Sequence, residues 1–90
     1  MKKQYHTELY DLFTKISTAG DAKKILKDIL TPAELDAIAE RWQLIKLLHK
    51  GVSQREIAKK LNISISKITR DSRALKYGTG GFKILLENET

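Results

Sequence analysis

Ser53-Gln54-Arg55-Glu56-Ile57-Ala58-Lys59-Lys60-Leu61-Asn62-Ile63-Ser64-Ile65-Ser66-Lys67-Ile68-Thr69 reads as two short helices joined by a tight turn. Ser53 with Glu56 three residues later forms a capping box, which satisfies free amides at a helix start. Ile57, Ala58 and Leu61 recur at helical spacing and form the inward face. Asn62 follows, and asparagine tolerates the left-handed turn almost as well as glycine. Ser64 then caps a second helix with Ile65, Ile68 and Leu75 on one face. A helix-turn-helix needs a small residue at the crossing, a turn residue about four positions on, and apolar contacts that hold the second helix steeply. Ala58, Asn62, Ile65 and Ile68 supply these, so the motif covers about residues 53–75. With Ile57, Leu61, Ile65 and Ile68 inward, Ser64, Ser66, Lys67 and Thr69 are left on or near the outer face.

The charge of the chain is concentrated on the same stretch. Between Lys50 and Lys76 there are eight Lys or Arg against Glu56 and Asp71, a net of +6, whereas the other 63 residues carry nine basic and nine acidic groups. A basic block beside a balanced body is the electrostatic footprint of a nucleic-acid-binding face. Lys59, Lys60 and Arg73 are suited to neutralising phosphates, which gives affinity without sequence reading. Small polar residues such as Ser64 and Ser66 at the start of a recognition helix allow close approach to the major groove.

Working outward, Leu9, Leu12, Phe13 and Ile16 predict a first helix from Tyr5 to about Ala19-Gly20. Asp21 is expected to cap a short second helix carrying Ile25, Leu26 and Ile29. Thr31-Pro32-Ala33-Glu34 is the clearest helix start: an N-cap, a proline at the first helical position and a capping-box glutamate. That helix runs through Leu35, Ile38, Trp42, Ile45 and Leu48 and stops around Gly51, a candidate left-handed cap. Tyr77-Gly78-Thr79-Gly80-Gly81 breaks the chain before a last helix with Phe82, Leu85 and Leu86. The fold class is all-α, about six helices in one domain over residues 1–90.

Cysteine is absent, and His6 and His49 lie far apart with no carboxylate at ligand spacing, so no metal site is expected. No apolar run approaches the 18 or so residues of a membrane span, and no apolar signal core follows Met1-Lys2-Lys3. The protein is expected to be cytoplasmic. No nucleophile–base pair or paired carboxylates stand at useful spacing. Gly78-Thr79-Gly80-Gly81 lacks the strand and lysine of a phosphate loop, so an enzyme is not expected.

Leu30-Thr31-Pro32-Ala33-Glu34, Arg41, Ser53-Gln54-Arg55-Glu56, and Ile68-Thr69-Arg70 with Leu75-Lys76 resemble, in order and separation, the Trp repressor family. The likeness runs from about Leu26 to Lys76, more than half the chain. A stretch from Arg41 to Ser53 one residue shorter than in the repressor proper, and the tail Lys76 to Phe82, are similar to the family's Trp-repressor-like branch. The resemblance implies an interlocked homodimer binding double-stranded DNA at a palindromic operator. Helix-turn-helix dimers, the Trp repressor among them, read half-sites about one helical turn apart. It implies that Arg55 reaches a guanine edge, that Gln54 contacts the backbone, and that Ile65, Ser66, Lys67 and Thr69 face the major groove. Tyr5, Tyr10 and Phe13 would seal the core between chains, and Trp42 would sit in the core or at the dimer interface.

It also implies a co-repressor pocket. The indole of L-tryptophan would lie between the guanidinium groups of Arg41 and Arg70, with Arg70 pairing to the ligand carboxylate. Carbonyls near Leu30 and Thr31 would take its ammonium. Two positions depart from the family: Asp71 replaces a glycine that admits the indole edge, and Ala74 replaces a serine. Asp71 can pair with Arg41 or Arg70 and compete with the ligand, or remain a surface partner of Arg70 or Arg73. No cofactor is obligatory on this reading. Three functions follow from the sequence: a repressor gated by L-tryptophan or a related small molecule, a constitutive ligand-independent DNA-binding regulator, and a basic helical protein-interaction module.

Overall fold

The computed structural model describes residues 2–88, which form six helices with no strand among them: α1 (Lys2–Phe13), α2 (Ala19–Ile29), α3 (Pro32–His49), α4 (Gln54–Leu61), α5 (Ile65–Tyr77) and α6 (Gly81–Glu87). The chain divides into two compact units, one up to Leu35 and one from Asp36 onward. No helix of the described residues is long and apolar enough to cross a membrane.

In the first unit α1 stops earlier than the apolar spacing predicts. Thr14, Lys15 and Ile16 donate their amides to the carbonyls of Asp11, Leu12 and Phe13, the i→i−3 bonds of a tightened last turn. The chain then extends so that Thr18, not Asp21, caps α2; the Thr18 hydroxyl accepts the Asp21 amide at 3.0 Å. Ile16, expected within the first helix, therefore lies in the connection. The Thr31–Glu34 box closes in both directions as expected: the Thr31 amide donates to Glu34 Oε1 at 2.8 Å, and the Glu34 amide donates to Thr31 Oγ1 at 3.1 Å.

The second unit holds the fully buried side chains Leu44 and Ile45 of α3, Ile57 of α4 and Ile68 of α5. Trp42, Leu48, Ala58, Leu61, Leu75 and Phe82 pack against them. Burying one such aliphatic side chain contributes roughly 1.5–3 kcal/mol. Leu44 was outside the expected stripe, while Ile38, within it, is 48% exposed.

The two turns that deliver the basic hairpin share one device. After α3, Gly51 adopts φ 85°, its amide donates to Leu48 O, and the Val52 amide reaches back to Leu47 O. After α4, Asn62 adopts φ 54° and the Ile63 amide reaches back to Ala58 O. In each case a left-handed residue is followed by an apolar one that folds back onto the core, the pairing that ends many helices. Ser53 and Ser64 cap the next helices, accepting the amides of Glu56 and Lys67 at 3.2 Å each. Helices α4 and α5 thus pack together as a helix-turn-helix.

Candidate nucleic-acid interface

Helix α4 begins at Gln54, so Gln54 and Arg55 stand in its first turn, and both are exposed. Lys59 and Lys60 occupy its last turn, exposed as well. Helix α5 presents Ser64 as its cap and Ser66, Thr69 and Arg73 as exposed side chains. The capped start of α5 also directs the positive end of its dipole outward, which favours a phosphate. Thr69 Oγ1 has one proton to give: the Ile65 carbonyl within α5 stands at 3.0 Å, and Gln54 Oε1 at the start of α4 is the longer alternative acceptor at 3.5 Å.

Ile65 is not part of the core, contrary to the apolar spacing. It is 49% exposed. Its spacing from the buried Ile68 puts the two on one face of α5, but Ile65 is the first residue of the helix and stays half-exposed there. Lys67 is half-buried, and its Nζ lies 2.7 Å from Glu40 Oε1 on α3. No local spacing signals this pair, because its members stand 27 residues apart.

Asp71 is the one buried charged residue among those described, at 4% exposure. It does pair with Arg70, one of the partners the sequence left open, but from a buried position and together with Arg41: its Oδ1 stands 3.6 Å from Arg70 Nε and 3.7 Å from Arg41 Nε. Arg41 and Arg70 thus converge, as the resemblance implies, but on a carboxylate of the chain itself. Asp71 Oδ2 and Arg41 Nε are buried with no hydrogen-bond partner. Ala74 is exposed on the next turn of α5. Leu30 and Thr31 belong to the first unit, where the Thr31 carbonyl already accepts the Leu35 amide at 2.9 Å.

Comparison with known proteins bears on the family and the fold. A family model described as Trp repressor protein matches residues 4–90. A Trp operon repressor homolog of Xylella fastidiosa is 37% identical over 76 residues, 83% of each chain. One from Chlamydia trachomatis is 35% identical over 85 residues, 89% of this chain and 90% of the relative. The crystal structure of a TrpR-like protein from Eubacterium eligens superposes with a TM-score of 0.86 at 25% identity, covering 94% of this chain and 88% of that one.

Proposed function

The chain belongs to the Trp repressor family, and we propose that within it the protein is a sequence-specific DNA-binding regulator of transcription, a repressor acting in the cytoplasm as a homodimer on a palindromic operator. Members of this family are regulators, not enzymes; they bind DNA and form dimers.

The observation that carries the reading is the capped α4–α5 pair, which sets Arg55 and small polar side chains on exposed helix starts and leaves Lys59, Lys60 and Arg73 exposed farther along the same helices. In it Arg55 reads a guanine edge by paired hydrogen bonds, and Gln54, 3.5 Å from the Thr69 hydroxyl, contacts the backbone. Lys59, Lys60 and Arg73 neutralise phosphates, which steers association and makes affinity fall with salt. Ser64, Ile65, Ser66 and Thr69 face the major groove, with Ile65 available to a thymine methyl group. Lys67 joins them by exchanging Glu40 for a DNA acceptor.

Selection of bound sequences from a random duplex library at physiological salt tests the reading. The expected product is a two-fold-symmetric site. Arg55→Ala should bind that site about 1–3 kcal/mol more weakly and lose preference at one base position. Recovery of no sequence preference would instead favour a basic helical protein-interaction module, because only counterion-driven attraction would remain.

L-tryptophan is the co-repressor that family membership puts forward, with Arg41 and Arg70 as the residues to hold it. These two fit a flat aromatic face, but Asp71 does not fit the carboxylate of that ligand.

A further inference from the structure

The two guanidinium groups on α3 and α5 would repel each other without an anion between them. Asp71 supplies one: Arg41 Nε on α3 and Arg70 Nε on α5 stand 3.7 and 3.6 Å from the same Oδ1. The carboxylate is 5% exposed, whereas Arg41 and Arg70 are 41% and 66% exposed, so the anion is fixed and the cations lean over it. Burying a carboxylate is costly unless it is paired, and removing the partner of a buried charge destabilises strongly. Asp71 is therefore bound to its arginines, and they to it. A second carboxylate entering between the same guanidinium groups would meet a like charge, which is unfavourable in a poorly solvated site. Before DNA is engaged, Glu40–Lys67, at 2.7 Å, adds a parallel tie between the same two helices.

We propose that Asp71 is a built-in counter-anion for Arg41 and Arg70, docking the recognition helix α5 on α3 without a small-molecule carboxylate, so that DNA binding by this chain does not require L-tryptophan. The proposal rests on α4–α5 being the DNA-reading face. Asp71 acts here as a positioning residue: it lies on α5 itself, so its pair with Arg41 is the tie across to α3, and its pair with the neighbouring Arg70 leaves both cations compensated. A protein already held in its binding-competent arrangement gains nothing from a ligand without differential affinity for that arrangement.

The test uses the full-length protein with L-tryptophan as probe, in two readouts. In calorimetric titration the wild type should show no saturable heat, and Asp71→Ala, with the arginines released, should bind L-tryptophan saturably. In DNA binding to the selected site, the wild type should change less than about twofold on adding L-tryptophan, following the population-shift relation. Ligand-free Asp71→Ala should bind at least about tenfold more weakly and recover with L-tryptophan, a loss equivalent to about 1.4 kcal/mol. Asp71→Glu, which keeps the charge, should retain most of the affinity. Should Asp71→Ala fail to fold, Asp71→Asn removes the charge at constant volume and should show the same ligand-free loss. Saturable binding of L-tryptophan to the wild type would overturn the proposal. So would undiminished ligand-free DNA binding by a folded Asp71→Ala or Asp71→Asn, or heat in neither protein. A wild type that selects no duplex would overturn the DNA reading alone, leaving the titrations to decide the counter-anion role.

Discussion

An added methyl group at Gly78 would stand 2.3 Å from the Ala74 carbonyl oxygen and 3.3 Å from its carbon, both backbone atoms of the preceding turn. The same carbonyl accepts the Gly78 amide at 2.9 Å, so it cannot retreat without losing that bond. Gly78→Ala should therefore lower stability by roughly 1–3 kcal/mol, in the range of substitutions that force a backbone shift. Thermal melting measures it; a melting temperature equal to the wild type would show that the end of α5 relaxes at no cost. The chain's sequence marks Gly78 as a breaker among several glycines, but the carbonyl that excludes a side chain is visible only once α5 is built. Asp71 presents the same limit more sharply. Its departure from the family is plain in the sequence, and so is the chance of pairing with Arg41. That one buried oxygen meets both arginines depends on the packing of α5 on α3.

At the scale of elements, the helix starts were the most legible feature. Thr31, Ser53 and Ser64 all cap, because capping is chemistry within four residues and needs no tertiary partner. The end of α1 and the start of α2 differ from the expectation for a related reason. Thr18 and Asp21 are both good caps three residues apart, and spacing alone does not choose between them. The Thr31–Glu34 box has a measurable signature. The Glu34 carboxyl is held below its usual value, chiefly by the backbone hydrogen bond from Thr31 and then by the Thr31 side chain. A carboxyl whose folded pKa is depressed contributes stability above its unfolded pKa, and that contribution is lost as pH falls through the folded one. The melting advantage of the wild type over Glu34→Ala should accordingly be present at neutral pH and shrink through the acid range. Melting curves of both proteins across pH check this, and a pH-independent difference would mean that the charged box contributes nothing.

For the whole molecule, the question is what covers the first unit. Neither α1 nor α2 contains a buried residue, although they carry Leu9, Tyr10, Phe13 and Ile29, which are 42, 64, 49 and 48% exposed. Tyr5 is 57% exposed, and so the three aromatic residues assigned by resemblance to an inter-chain seal are all exposed in one chain. A chain this small seldom folds without completing its apolar core, and a second copy is the partner that family membership supplies. Sedimentation equilibrium should give twice the chain mass at micromolar concentration, and Tyr10→Lys should shift the protein toward monomer with a lower melting temperature. A folded wild-type monomer would overturn the interlocked dimer.

By itself the sequence determined the class of the protein. Helical periodicity, the serine and threonine caps, the left-handed positions Gly51 and Asn62, and the charge gathered between Lys50 and Lys76 are all local in the chain, and together they specify an all-helical fold with a basic helix-turn-helix. The tertiary structure decided what depends on residues far apart in sequence meeting in space. It placed Leu44 in the core and Ile65 outside it, tied Lys67 to Glu40, and closed Arg41 and Arg70 on Asp71. Ion pairing and burial act through distance in space, and the order of residues along a chain records that distance only for neighbours.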